Sequence, residues 1–318
     1  MIFSLIFLLL FKDCFAQDMN EGCQCGMDNI SSRIINGHPV KKGKYPSYVY
    51  FEGIVGCGGG LITDRHVITN AHCIVGHDST ETKRMRNNLK LVLGPHSRND
   101  FLNFPGLEIQ EFIPHEKYVR GVGKYFYDIA IIKLKKRIEF KNGLNPICLP
   151  NFEDTDNMFA YGLGKQDKNG QLVNAKVMHE VDLDRISDDR CEQLLSTEEF
   201  KVEYHKELTM CSLNEFRRNN VCLGDSGSPV STRKDGRVYG VGLPSTVEEN
   251  CTLPDYRVFP TTYEKVYAHL EWIRDKTKDG YYCFGEHHPF SPGFHPEYQD
   301  KIDFGSKFVN EMDNLWFS

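Results

Sequence analysis

The stretch from Cys222 to Pro229, CLGDSGSP, contains a serine between two glycines. Glycine lets the backbone turn sharply and approach a ligand closely. The hydroxyl of Ser226 on such a turn becomes a good nucleophile only where a base takes its proton and N–H donors receive the oxyanion. Alone, the stretch is more typical of a surface turn. Catalysis therefore requires a base and an orienting acid elsewhere in the chain.

A histidine and an aspartate beside apolar runs supply these two groups. His72 follows shortly after the run His66–Ile68, and Asp128 directly precedes the run Ile129–Leu134. Each residue alone is more typical of a structural role, a core histidine in one case and a strand-end cap in the other. Together with Ser226 they provide the base, the acid and the nucleophile that covalent catalysis needs.

The order and local sequences of these groups resemble the chymotrypsin/trypsin family of serine peptidases. The matching motifs are AHC at 71–73, DIA at 128–130 and GDSGSP at 224–229. The stretch RIING at 33–37 resembles the activation site of the family, where cleavage after a basic residue frees a new amino terminus. The similarity extends from about Ile34 to Thr277. It implies a secreted serine endopeptidase that is made as a zymogen.

The resemblance assigns a role to each residue of these motifs. In the family mechanism the base takes the serine proton, the acid holds the imidazole, two backbone N–H groups form the oxyanion hole, and a buried aspartate pairs with the new amino terminus. The corresponding residues are His72 as base, Asp128 as acid, Ser226 as nucleophile, Gly224 and Ser226 as oxyanion donors, and Arg33, Ile34 and Asp225 as the activation residues.

The chain departs from the family pattern in the expected specificity pocket. Asn220, with Val221 beside it, lies six residues before the nucleophile, at the base of the family pocket, so no charge attracts arginine or lysine. Thr261 stands where the family has a glycine and is expected to narrow the pocket, as in elastases. The Ser-Trp-Gly strand of the family is expected at Leu243-Pro244-Ser245, which places Ser245 in the pocket wall and removes a hydroxyl that supports the triad aspartate.

Two functions remain open from these motifs. The intact triad and activation site favour an active endopeptidase that is not specific for arginine or lysine. The altered residues Leu243-Pro244 and Thr261 favour a catalytically weak or inactive homologue that acts as a binding or regulatory protein. Labelling with an active-site probe distinguishes them.

Composition restricts the partners and the compartment. The chain has 318 residues, of which 40% are hydrophobic, and a net charge of −6, which argues against nucleic acid or anionic membranes as partners. Eleven cysteines indicate an oxidising compartment. The expected partners are protein or peptide substrates and an activating trypsin-like protease. No cofactor or metal is expected, because Pro95 falls where the calcium loop of the family carries a ligand acid.

The termini flank the region of resemblance. The apolar run at 2–11 is too short to span a bilayer and predicts a signal peptide over 1–16, with a membrane anchor as the alternative. A pro-segment over 17–33, a peptidase domain over 34–277 and an extension over 278–318 follow. Asn29 is the expected glycosylation site, while a second sequon at Asn250 includes Cys251. The histidines of the extension leave metal binding and a surface-packed or mobile extension as alternatives.

Ten cysteines remain after removal of the signal peptide. The resemblance pairs eight of them: Cys57 with Cys73, Cys191 with Cys211, Cys222 with Cys251, and Cys25 with Cys148. Parity then pairs Cys23 with Cys283. Because Cys23 and Cys25 are two residues apart, an exchange of their partners remains open.

Short alternating segments such as Leu89–Leu93 and Val177–Leu183 predict an all-β fold. The resemblance implies two six-stranded antiparallel β-barrels with a C-terminal helix, plus an irregular C-terminal tail. Val266, Leu270 and Ile273 predict one face of that helix, and the residues Thr261–Glu264 predict a capping box before it.

Overall fold

The computed structural model describes residues 23–28, 38–52, 56–121, 124–153, 155, 157–168, 171–196, 204–213, 220–246, 260–283 and 289–290. The expected signal peptide, the cleavage site at Arg33–Ile34, the sequon at Asn29 and the cysteine at Cys251 lie outside the described residues. Within them, no helix is long and apolar enough to cross a membrane.

The described chain is mainly β-structure with a few short helices. Its strands are β1 (His38–Pro39), β2 (Tyr48–Glu52), β3 (Cys57–Thr63), β4 (His66–Thr69), β5 (Lys90–Leu93), β6 (Ile109–Pro114), β7 (Val119–Gly121), β8 (Lys124–Phe126), β9 (Ala130–Leu134), β10 (Asn157–Gly162), β11 (Lys165–Lys168), β12 (Gln171–Asn174), β13 (His179–Ile186), β14 (Thr209–Ser212), β15 (Val230–Lys234), β16 (Arg237–Thr246) and β17 (Thr261–Lys265). Its α-helices are α1 (Ser79–Asn87), α2 (Arg98–Asn103), α3 (Asp188–Leu195) and α4 (Leu270–Lys276).

The first half of the chain forms a six-stranded antiparallel sheet in the order β5-β2-β3-β4-β9-β6. Alternate residues of its strands point into one apolar core, where Val49, Leu61 and Ile132 are buried. The N–H group of Leu107, just before β6, donates to the carbonyl of Leu91 in β5 at 2.9 Å. This bond brings the two edge strands of the sheet together.

The second half forms a closed barrel. Its strands follow the order β13-β10-β15-β16-β17-β14, and β14 returns to β13 through the pairs Arg185↔Ser212 and Ile186↔Cys211. The short strand β1 adds to the outside of β13. The prediction of an all-β, trypsin-like fold with a C-terminal helix is therefore confirmed.

One apolar cluster joins the two halves. It contains Tyr48 and Ile131 from the first sheet and Tyr161 and Leu243 from the second. The Leu163 N–H group donates to the hydroxyl of Tyr48 at 3.3 Å across this interface. The two sheets therefore share one buried apolar interface.

The predicted capping box before the C-terminal helix is wrong. The residues Thr261–Lys265 form β17, which pairs with β14 on one side and β16 on the other. Ladder hydrogen bonds on both sides and the β-branched and aromatic side chains outweigh the local capping pattern. A 3-10 helix over Tyr267–His269 leads instead into α4, and the predicted apolar face is buried.

Four of the five expected disulfides are present: Cys23–Cys283, Cys25–Cys148, Cys57–Cys73 and Cys191–Cys211. Cys222 is also disulfide-bonded. The alternative in which Cys23 and Cys25 exchange partners is not the observed one. The first two bridges attach residues 23–28 to the body of the protein and to the segment after α4.

The segment after α4 packs against the first sheet. The Asp279 carboxylate lies 2.9 Å from Arg65 Nη1 and 3.0 Å from Lys133 Nζ. The Tyr281 N–H group donates to Asp64 Oδ1 at 2.8 Å. After α4 the polypeptide thus returns from the second barrel to the first sheet. At the end of this segment Cys283 forms its disulfide with Cys23.

Candidate active site

His72 and Asp128 meet at neighbouring strand ends. His72 lies in a 3-10 helix (Ala71–Cys73) just after β4, and Asp128 lies just before β9. Because Thr69 and Ala130 are paired in register, these two ends are adjacent. His72 Nδ1 is 2.7 Å from Asp128 Oδ2, and the His72 N–H group donates to Oδ1 at 2.9 Å. The buried carboxylate therefore fixes both the ring and the backbone of the histidine.

The Asp128 carboxylate has a third partner in Ser245. The Ser245 hydroxyl donates to Asp128 Oδ2 at 2.6 Å, so the expectation that this supporting hydroxyl is missing is wrong. The register of β16 with β17 shifts between Pro244 and Thr246, which leaves Ser245 outside the ladder. This bulge directs its side chain toward the aspartate, because an extra residue re-aims a strand locally.

The turn that carries Ser226 packs against the segment that carries His72. The Ser226 carbonyl accepts the N–H group of Gly58 at 2.7 Å, and the Cys57–Cys73 disulfide joins that strand to the His72 turn. Gly227 has a φ of +75°, and a Cβ atom there would lie 2.2 Å from Thr69 Oγ1. Only glycine fits this approach.

Asp225 lies buried beneath the same turn. Its carboxylate accepts the Gly164 N–H group at 2.9 Å and the Cys222 N–H group at 3.0 Å. Burial raises the pKa of Asp225 to about 6, and the two N–H groups oppose this rise only in part. No cationic side chain forms a salt bridge with Asp225 within the described ranges. The carboxylate is therefore a buried charge that a cation would stabilise.

The loop also has two amides that are not used in backbone hydrogen bonds. The Asp225 and Ser228 N–H groups close turns inside the loop, at 2.9 and 3.0 Å. Among the described residues, the N–H groups of Gly224 and Ser226 donate to no backbone carbonyl. Gly224 has a φ of +95°, a conformation that favours glycine. These two N–H groups are therefore not engaged by the described backbone carbonyls.

Three of the four expected pocket residues lie together, and the fourth does not. Asn220 Nδ2 donates to Thr261 Oγ1 at 2.7 Å, and the Asn220 side-chain oxygen accepts the Val221 N–H group at 2.9 Å. Val221 and Thr261 are buried, whereas Asn220 is exposed. Ser245 lies at the Asp128 carboxylate instead. The group contains amide and hydroxyl dipoles and no charge.

One cluster in the described part of the chain has the geometry of a metal site, formed by Cys57, His72 and Cys73. The two sulfur atoms are bonded to each other, so neither is a thiolate ligand. This cluster therefore does not bind a metal in the oxidised protein.

Sequence analysis missed three residues around the triad. It placed Ser245 two positions out of register, because the bulge that shifts this residue has no local signature in the sequence. It overlooked Tyr125, whose ring centroid is 5.6 Å from that of His72. It also read Glu264 as part of a helix cap, although Glu264 is buried in β17. Nothing in the local sequence TTYEK marks this acid as buried.

Comparison with known proteins gives the same family throughout. The sequence model of the trypsin family matches residues 34–273. A proclotting enzyme of Tachypleus tridentatus is 32% identical over 273 residues, which cover 79% of this chain and 68% of that protein. A venom serine protease of Polistes dominula is 29% identical over 279 residues (84% and 93%), and coagulation factor IX of Oryctolagus cuniculus is 28% identical over 248 residues (76% and 83%). The chain therefore belongs to the trypsin family of serine proteases.

Proposed function

We propose that this protein is a secreted serine endopeptidase, made as a zymogen and activated by cleavage between Arg33 and Ile34. The observation that carries the proposal is the hydrogen-bonded series from Ser245 through Asp128 to His72, which lies against the turn of Ser226. A homologue that only binds a partner has no need of this series.

In the proposed mechanism, His72 takes the proton of the Ser226 hydroxyl as its oxygen attacks a peptide carbonyl. The N–H groups of Gly224 and Ser226 receive the oxyanion, and each such donor typically contributes about 3 kcal/mol. Asp128 accepts a hydrogen bond from the His72 Nδ1–H group and stabilises the imidazolium. His72 then gives its proton to the leaving amine, and water hydrolyses the acyl-enzyme.

Activation supplies the missing cation. Cleavage after Arg33 creates an ammonium group at Ile34, which pairs with the buried carboxylate of Asp225 and orders the Gly224 loop. The raised pKa of Asp225 supports this step, because it marks a buried carboxylate that has no salt-bridge partner among the described residues. The disulfides of Cys23 and Cys25 keep the pro-segment attached after cleavage.

The pocket residues favour small or medium uncharged side chains before the scissile bond. An arginine entering beside Asn220 and Thr261 loses hydration and gains no counter-charge. The protein therefore does not cut its own activation site efficiently, and a separate trypsin-like protease activates it. Among its relatives, the names proclotting enzyme, coagulation factor IX and venom serine protease support an extracellular setting and a place in a series of proteolytic activations.

A fluorophosphonate probe tests the proposed function. Trypsin cuts the purified chain, and amino-terminal sequencing establishes that the new terminus is Ile34. We expect labelling of the cut chain, little labelling of the uncut chain and none of a cut Ser226→Ala variant. Absence of labelling after verified cleavage would identify the protein as a homologue without peptidase activity.

A further inference from the structure

A second carboxyl group lies directly behind the triad aspartate. Glu264, the fourth residue of β17, is 1% exposed. Its Oε1 atom is 2.6 Å from His269 Nε2. A hydrogen bond from the backbone amide of Asp128 is among the effects that act on the pKa of its carboxyl group, which places that group beside the Asp128 backbone. Glu264 thus touches the backbone of Asp128, while the side chain of that aspartate holds His72.

The backbone at this point needs external support. Tyr127, the residue before Asp128, has a φ of +53°, which is strained for a side chain of its size. The Tyr127 ring stacks on His115 at 4.7 Å, and the His115 ring meets that of His269 at 5.4 Å. The rings of His115 and His269 and the carboxyl group of Glu264 thus lie around the strained turn that leads into Asp128.

The protonation of the pair follows from its surroundings. Burial, together with the negative charge of Asp128, raises the pKa of Glu264 well above its ordinary value. Burial lowers the pKa of His269 to about 3. A protonated carboxyl group has one donor and one acceptor. Its O–H can donate to His269 Nε2 while its carbonyl oxygen accepts from the Asp128 amide, and Asp128 keeps the negative charge.

Other ionisable groups face the pair from neighbouring elements. His205 acts on Glu264 only as a weaker opposing charge, and Tyr127 is a phenol whose own pKa is raised by burial. His115 is neutral at physiological pH, because burial and the neighbouring His269 lower its pKa to about 3. None of these groups supplies a fixed counter-charge for an ionised Glu264.

We propose that Glu264, hydrogen-bonded to His269, is a positioning residue that holds the backbone of Asp128 in the orientation the triad requires. It acts through Asp128 and touches no substrate. The inference rests on the proposed function, since the orientation of Asp128 affects catalysis only if the triad is active.

Three variants of the cut protein test this role. Glutamine is the closest mimic of a protonated glutamate, since it also offers one acceptor oxygen and an N–H donor. Glu264→Gln should retain kcat within about threefold, while Glu264→Leu should lower kcat at least about tenfold with KM nearly unchanged. Glu180→Gln is the matched control, because Glu180 is a buried carboxyl in the same barrel that bonds Lys44 and not the triad. Equal losses in the Gln and Leu variants, or none in either, would overturn the proposal.

A second readout does not depend on activity. The proton between His72 Nδ1 and Asp128 gives a downfield NMR signal whose chemical shift reports the geometry of that hydrogen bond. We expect this chemical shift to be unchanged in Glu264→Gln and displaced or lost in Glu264→Leu, because a misaligned aspartate weakens the hydrogen bond. If Glu264→Leu does not fold, Glu264→Met, which is as long as glutamate but has no carboxyl group, replaces it in the comparison with Glu264→Gln, and equal signals in the two variants contradict the proposal. Failure of probe labelling with this NMR pattern intact would reject only the proposed function.

Discussion

Replacement of Asp225 by asparagine should stabilise the uncut chain in a pH-dependent manner. Burial raises the pKa of Asp225 from 3.8 to about 6. This shift of roughly two units corresponds to about 3 kcal/mol. Because the folded-state pKa lies above the unfolded value, the contribution of Asp225 to stability is fully present below pH 3.8 and is lost as the pH rises through about 6. Asparagine does not titrate, so a chain with asparagine at this position does not lose that stability as the pH rises.

Urea unfolding of the uncut chain at several pH values measures the effect, in a Ser226→Ala background to prevent self-digestion. The asparagine side chain also lowers the stability of the folded state at every pH, because its amide offers one acceptor oxygen to the two N–H groups that the carboxylate binds. The pH dependence is therefore the decisive quantity. The stability of Asp225→Asn relative to the parent should rise by about 2.5 kcal/mol between pH 4 and pH 7.5, because part of the full effect has already developed at pH 4.

Asp100 provides a control of opposite sign. Burial opposes its ionisation, but N–H groups of His96 and Ser97 outweigh that effect and lower the pKa of Asp100. Its contribution is present above the unfolded pKa and is lost as the pH falls, so Asp100→Asn should be costlier at pH 7.5 than at low pH. A difference for Asp225→Asn that stays constant within about 1 kcal/mol would refute the view that Asp225 is an unpaired buried charge before cleavage.

Three further predictions concern the triad, the pocket and the tail. Ser245→Ala removes a charge-assisted hydrogen bond to Asp128 and should lower kcat about tenfold, with KM unchanged, in steady-state kinetics of the cut protein. Asn220→Asp adds a carboxylate to the pocket and should shift cleavage of a peptide library at least about tenfold toward arginine and lysine. The paired change Cys23→Ser with Cys283→Ser should reduce the free energy of unfolding by about 2–4 kcal/mol.

Each of these predictions has a result that contradicts it. Unchanged kcat in Ser245→Ala would mean that the other contacts suffice to hold the aspartate. Ser231→Ala is its control, because Ser231 is a buried serine whose hydroxyl donates to the Pro229 carbonyl and not to Asp128. An Asn220→Asp variant with the parental preference would show that Asn220 does not line the pocket. If the variant that lacks the Cys23–Cys283 disulfide unfolds at the same urea concentration as the parent, the contacts of Asp279 and Tyr281 are sufficient to hold the segment after α4.

The local motifs were sufficient to predict the family and, through the resemblance, the mainly β fold with its C-terminal helix. His72, Asp128 and Ser226 each lie in a short motif whose glycines, alanine or apolar neighbours restrict the backbone around them. Four of the cysteine pairs were predictable as well, three through the resemblance and one through parity. These predictions rest on short motifs and on the resemblance that the motifs carry, so a single sequence contains them although paired cysteines lie up to 260 residues apart.

The position of Ser245 was decided by a strand register, and register depends on the whole ladder. A bulge between Pro244 and Thr246 leaves no local signature, because it arises where β16 meets β17. Pairing with β14 and β16 also places the residues Thr261–Glu264 in a strand, although their local sequence predicted a helix capping box. In both cases hydrogen bonds to distant strands outweighed local preference.

The sequence by itself thus determined which residues are available for chemistry and the fold that brings them together. Only the tertiary structure decided what surrounds them: the hydroxyl of Ser245 on Asp128, the burial that raises the pKa of Asp225, and the contact of Glu264 with the triad backbone. The physical reason is that desolvation and hydrogen bonding depend on neighbours in space. Those neighbours lie far apart in the sequence, as Ser245 is 117 residues from Asp128 and Gly164 is 61 residues from Asp225, and no local pattern specifies their contacts.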